Sequence, residues 1–320
     1  MSIVEKALQK AQQSAPAAEP GRPGDAPAAQ PPPGAVEPPR APEAARTAAA
    51  AQAPAAPPSS RETIVVDPAR LRQFGLLPAE DLLVEALEEF RRIKWPLLDS
   101  ALGRSGSGAV AAENNLILIT SAMAEEGKSF TAVNLAGAIG RERDCRAILV
   151  DADLSRPKLT EALGLVGRKG LSNVLADESL SIGDVLYETS LEGLLFVPSG
   201  AVDERGPELL ASRRMAQVGS ELSQWVQDGV VLFDSSPLLL SNESQVLSRL
   251  VGQVVLVVRA GVTEQRMVRE AIGLLDRTKL ISTVLNDVQR TGLGDDPMTY
   301  GYGYGYGSRK RYGSTGSGNR

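Results

Sequence analysis

Between residues 113 and 290, short aliphatic runs alternate with segments of helical length. The runs are LILIT (116–120), AILVDAD (147–153), LLFVPS (194–199), GVVLFDS (229–235), QVVLVVRA (253–260) and STVLNDV (282–288). Within each run the apolar residues are continuous rather than alternating. That pattern marks strands covered on both faces, as in a parallel sheet. It predicts an α/β domain over 113–290, with a mostly parallel sheet and helices on both faces.

Upstream, ETIVVDPARLRQFGLLPAEDLLVEALEEFRRIKWPLLDSALG predicts a short strand and at least one long helix within a region spanning 62–112. Leu83, Leu87, Phe90 and Leu97 lie on or near one helical stripe, while Glu88, Arg91 and Lys94 follow an i, i+3, i+6 row. On spacing alone that row is a solvated face with local ion pairs, each worth tenths of a kcal/mol. Residues 1–13 carry Ile3, Val4, Ala7, Leu8 and Ala11 at helical spacing, which gives a short amphipathic helix. It reads equally as a frayed terminus or as a helix docking on a partner or a membrane surface. Residues 14–61 are rich in proline and alanine and cannot bury enough apolar surface to offset chain entropy, so a disordered linker is expected there.

The other end, 291–320, has the opposite peculiarity. Five of the six tyrosines, Tyr300, Tyr302, Tyr304, Tyr306 and Tyr312, fall within it, with glycine between the first four. Alternation puts tyrosines on one face of a strand, but glycine leaves nothing to pack on the other. A flexible tail is expected.

Composition narrows the chemistry. The chain has no histidine, which excludes histidine-based triads and His-ligated metals. A single cysteine, Cys145, excludes an intrachain disulfide and fits a reducing compartment. A net charge of −5 predicts no nucleic-acid partner, although Arg309, Lys310, Arg311 and Arg320 make the tail locally basic. No apolar run approaches the roughly 20 residues needed to span a bilayer. MSIVEKALQKAQQ has neither the basic nor the long apolar segment of a signal peptide, so a cytoplasmic location is expected.

The chemistry itself is expected where LILIT runs into SAMAEEGKSFTAVNLAGAIG. Ala122 to Ser129 form a P-loop with Ala in place of the usual first Gly, preceded by a strand and followed by a helix. Such a loop aims backbone N–H groups and a helix N-terminus at phosphates. Ala124, Glu125, Glu126, Gly127, Lys128, Ser129 and Phe130 are the candidate nucleotide contacts. Lys128 is placed to reach the outer phosphates and Ser129 to ligate Mg²⁺. Asp151 and Asp153 stand at the end of the second strand, two apart and on one face, and Asp234 ends the strand VVLFD. Ligands of doubly wound sheets lie beyond the carboxyl ends of the strands, so the three carboxylates converge on the P-loop mouth.

Together, SAMAEEGKSFTAVNLA, ILVDADLSRP, VVLFDSSP and the tyrosine cluster resemble the bacterial tyrosine kinases, and within them the cytosolic exosortase- and exopolysaccharide-associated tyrosine autokinases. MSIVEKALQKA, EEFRRIKWPLL, GLSNVLAD and PELLASRRM share the resemblance, which covers nearly the whole chain. It implies a P-loop NTPase fold and an ATP- and Mg²⁺-dependent protein-tyrosine autokinase that phosphorylates its own tail in trans and regulates exopolysaccharide synthesis or export. It implies Ser129, Asp153 and Asp234 as metal ligands, Asp151 as acceptor of the tyrosine proton, and Lys128 on the phosphates. Glu88, Arg91 and Lys94 match the family's oligomerisation motif, with Lys in place of the last Arg. The implied partners are other copies in a ring, a membrane activator of the chain-length-determinant type that recruits the protein to the inner face of the membrane, and a tyrosine phosphatase.

The alternative is a switch ATPase of the cell-division and partitioning type, whose P-loop carries an extra lysine where this chain has Met123. Other positions are less settled. Glu125 stands where the family has glycine, which removes easy access to positive φ and adds a carboxylate near the phosphates. Arg156 reads as a phosphate or neighbour-subunit contact or as a surface arginine. Asn286 reads as an adenine contact or as a strand-end cap. PELLASRR (207–214) predicts a helix start with proline in its first turn.

Overall fold

The computed structural model describes residues 61–103, 113–202 and 205–288. The expected amphipathic helix, the linker but for Arg61, and the tyrosine tail lie outside them. The chain divides after residue 55, and all described residues belong to the second unit.

In chain order the elements begin with β1 (Thr63–Ile64), α1 (Pro68–Gln73), α2 (Leu83–Ala101), β2 (Leu116–Ser121), α3 (Lys128–Gly140), β3 (Arg146–Asp151), α4 (Lys158–Ala162) and α5 (Leu171–Ala176). They continue with β4 (Tyr187–Thr189), β5 (Leu194–Val197), α6 (Gly206–Leu210), α7 (Arg213–Trp225), β6 (Gly229–Asp234), α8 (Asn242–Leu250), β7 (Gln253–Arg259), α9 (Gln265–Gly273) and β8 (Leu280–Asn286). Eight strands form one sheet in the order β1-β4-β5-β3-β6-β2-β7-β8. Every neighbouring pair is parallel except β4 with β5.

The six aliphatic runs each become a strand. β4, YET, is the strand that patterning missed, being three residues long and only partly apolar. It lies antiparallel on β5 and carries the two-residue β1 on its outer edge. The continuous runs have their expected cause. In β2, Leu116 and Leu118 pack into one core cluster and Ile117 and Ile119 into the other. The first cluster holds residues of α5 to α9; the second holds residues of α1 to α4. Each buried Leu or Ile contributes roughly 1.5–3 kcal/mol through lost water contact, so the sheet centre is the main source of stability.

α2 packs through Phe90, Leu97, Leu98 and Ala101; of the expected stripe, Leu83 is half-buried and Leu87 is exposed. The charged row needs a correction. Glu88 and Arg91 are exposed and paired at 3.0 Å, but Lys94 is only 4% exposed. Its ammonium donates to the Ala138 carbonyl at 3.0 Å and pairs with Glu142, both at the end of the P-loop helix region. A step of three residues falls about 60° short of a full turn, so a three-spaced row winds around the helix and its third member comes round to the core side.

Candidate active site

The carboxyl ends of β2, β3 and β6 form the site. In the β3–β6 ladder Val150 faces Phe233 and the next rung pairs Asp151 with Asp234, so strand register brings two carboxylates together. β2 lies on the other side of β6 and turns directly into the P-loop. Asp153 sits beyond β3, which ends at Asp151, and not on the strand as spacing suggested. A turn holds it there: its Oδ1 accepts from the Ser155 hydroxyl at 2.9 Å and from the Arg156 amide at 3.0 Å. Its Oδ2 lies 3.8 Å from the Lys128 ammonium.

The P-loop is braced from a distance. Gly127 has φ 95°, and a Cβ there would lie 2.0 Å from Asn286 Nδ2. Only glycine fits. Asn286, at the end of β8, donates to the Glu126 carbonyl at 3.0 Å. Glu126 itself is buried; its carboxylate accepts from the Met123 amide at 2.9 Å and from the Thr263 hydroxyl. The Glu126 side chain therefore lines neither neighbouring cavity and acts as a strut under the loop. Glu125 takes φ 63°, the left-handed conformation that glycine would adopt freely, at a cost of about 1 kcal/mol.

Two cavities open at this edge. One, of about 620 Å³, is lined by Ala124, Lys128, Ser129, Asp153 and Arg156 among others. The second, of about 660 Å³, lies between α2, the loop and β8, and includes Asn286. Glu125, Gly127 and Phe130 border both. Arg156 is exposed at the first cavity's rim, beside Lys158, which the sequence reading did not single out.

The carboxylates are electrostatically unusual. Burial pushes Asp151 from its ordinary 3.8 up to about 8, with Asp234 adding repulsion. Burial also raises Asp234 to about 6, opposed by Lys128 and by a hydrogen bond from Ser129. Asp151 Oδ1 and Asp234 Oδ1 are both buried without a hydrogen-bond partner. A buried carboxyl oxygen without a partner is costly, and at Asp234 a hard cation with its waters would satisfy it. The residues thus fit Mg²⁺. Among the described residues no three His, Cys, Asp or Glu side chains close into a metal cage. Mg²⁺ rarely takes one; it uses one or two carboxylates with phosphates and water.

No family model matches the chain. Known proteins do. The chain is 31% identical over 172 residues to tyrosine-protein kinase YwqD of Bacillus subtilis, an alignment covering 53% of this chain and 71% of that protein. This chain belongs to the bacterial tyrosine kinases. It is also 28% identical over 187 residues to tyrosine-protein kinase wzc of Salmonella typhi, covering 57% of this chain. It spans only 25% of that relative and 28% of the Acinetobacter johnsonii kinase ptk. Among solved structures, the kinase domain of the Escherichia coli tyrosine kinase ETK superposes with a TM-score of 0.52 at 28% identity, covering 61% of this chain and 74% of that one. The chimerical protein CapA2B2 gives 0.54 at 27% identity, covering 68% and 96%.

Within this family member, residues that carried no sequence signal still shape the site. Thr263 and Thr160 hold Glu126 and Asp151, but each is an ordinary threonine in a linear reading. No described helix is long and apolar enough to cross a membrane.

Proposed function

We propose that the chain is a protein-tyrosine autokinase using Mg·ATP to phosphorylate, in trans, the tail tyrosines Tyr300, Tyr302, Tyr304, Tyr306 and Tyr312, and thereby regulates exopolysaccharide synthesis or export. One observation carries this reading. Two buried carboxyl groups with unpartnered oxygens, Asp151 and Asp234, share one ladder rung, and the P-loop lysine Lys128 acts on Asp234, in a chain that also carries a tyrosine cluster.

Each residue has a role that its surroundings support. Lys128 and the loop amides bind the outer phosphates, and Arg156 and Lys158 add positive charge at the rim. Ser129, Asp153 and Asp234 would hold the metal, which when bound neutralises phosphate charge during transfer. Asp151 accepts the hydroxyl proton of the incoming tyrosine as its oxygen attacks the terminal phosphorus and ADP leaves. Asn286, committed to the Glu126 carbonyl, positions the loop and borders the cavity on the adenine side. Glu88 and Arg91 face outward for a ring contact between copies, while Lys94 supports its own protomer. The family resemblance implies the partner type: a membrane activator of the chain-length-determinant type that recruits the kinase to the inner face of the membrane. A phosphatase would reset the tail. Successive phosphates beside Arg309–Arg311 turn a basic segment acidic.

The test mixes a Lys128→Ala chain bearing the intact tail with an active chain truncated before Tyr300, supplied with ATP, Mg²⁺ and the activator's cytoplasmic segment. Anti-phosphotyrosine blotting is expected to label the inactive chain. Absence of label there, with wild type labelling normally, would refute transfer in trans.

A further inference from the structure

One neighbour governs how Asp151 is presented. Its Oδ2 accepts two hydrogen bonds from Thr160, from the amide at 2.8 Å and from the hydroxyl at 2.7 Å. The Thr160 oxygen also accepts from the Ser199 amide at 2.9 Å. A hydroxyl has one proton to give. Ser199 holds the oxygen from one side, and the 2.7 Å geometry gives that proton to Asp151. Thr160 is buried in the first turn of α4, and Ser199 lies just beyond β5. Three segments therefore meet at one buried hydroxyl.

The consequence is asymmetry within the carboxylate. Oδ2 is saturated by two donors, and Oδ1 is buried with none. The torsion turning an aspartate carboxyl is broad and roughly two-fold, so packing alone selects neither oxygen. Valine would fill the Thr160 volume nearly as well, yet a buried hydroxyl is tolerated only when bonded. We propose that Thr160 is a positioning residue that pins Asp151 through Oδ2 and leaves Oδ1 as the oxygen presented to the reacting groups. The inference rests on the reading of Asp151 as the group that meets the tyrosine hydroxyl, and it adds the residue that orients it.

Two measurements test it. The first follows tail phosphorylation in the full chain with ATP, Mg²⁺ and the activator segment. Thr160→Val is expected to lower kcat about 10- to 100-fold, the scale of a misplaced reacting group. KM for ATP should stay within about twofold, and Thr160→Ser, which keeps the hydroxyl, should recover kcat to within about threefold. The second uses the metal-free protein and needs no activity: a double-mutant cycle of Thr160→Val with Asp151→Ala, read by thermal unfolding. Thr160→Val should lower the melting temperature by about 3 °C in the parent and by less than about 1 °C when Asp151 is gone. Thr160→Ala serves in both arms if the valine variant does not fold. An additive cycle, an unchanged kcat, or a serine variant as impaired as valine would overturn the proposal. If wild type makes no phosphotyrosine, the functional reading fails, and the cycle alone still decides whether Thr160 acts on Asp151.

Discussion

Two consecutive rungs of the β3–β6 ladder behave in opposite ways. Val150 and Phe233 face each other, fully buried and apolar; one residue on, Asp151 and Asp234 face each other, as deeply buried and acidic. The first rung lies in a core cluster and stabilises the fold. The second places two carboxylates where burial disfavours their charge and leaves an oxygen of each unpartnered. Burial alone therefore does not distinguish core from site; satisfaction of the buried atoms does. The apolar rung stabilises the fold, and the acidic rung, which the proposed function makes the reactive one, is held at a cost in stability, so substitutions at the two rungs should have effects of opposite sign.

The largest expected effect lies at the reactive edge. Lys128→Ala should lower tail phosphorylation at least about 1000-fold, on the scale of removing a phosphate-binding cation, while moving the unfolding midpoint little. Next comes the apolar rung. Phe233→Ala should cost about 3–5 kcal/mol in denaturant unfolding by leaving a cavity in the sheet centre. A cost below about 1 kcal/mol would mean that the rung is not part of the core.

The third prediction reverses the sign. Asp151 has a folded pKa of about 8 against an ordinary 3.8. Between those values the unfolded chain has released a proton that the folded chain keeps, so stability of the metal-free protein should fall as pH rises through this window and level off above about 8. Asp151→Asn removes its own part of that dependence and leaves the part that Asp234 contributes below about pH 6. It should be more stable than the parent at pH 8 by at least about 1 kcal/mol, the equivalent of one pKa unit, and inactive. Loss of stability in Asp151→Asn at pH 8 would break the comparison. Smallest is Glu88→Ala, which removes an exposed pair with Arg91 and should change protomer stability by less than about 0.5 kcal/mol. Its effect should instead appear in ring assembly measured by light scattering.

Much of this was legible before the structure. The continuous aliphatic runs announce strands because both faces are covered, and the three aspartates announce a site because they end such runs beside a P-loop. What was not legible depends on distant partners. Glu126 reads as one more loop acid, and its role as a strut comes from Thr263, 137 residues away. Lys94 reads as a surface cation because its inward turn depends on Glu142 and the Ala138 carbonyl. Thr160 lies nine residues from Asp151 on another element, with no motif to announce it. β4 is too short for its pattern to stand out.

The measurement that bears most directly on the account is mass spectrometry of the tail after incubation of wild type and Lys128→Ala with ATP, Mg²⁺ and the activator segment. The account predicts phosphate on several of Tyr300, Tyr302, Tyr304, Tyr306 and Tyr312 in wild type and none in Lys128→Ala. An unmodified wild-type tail, or equal phosphate in both chains, would contradict it.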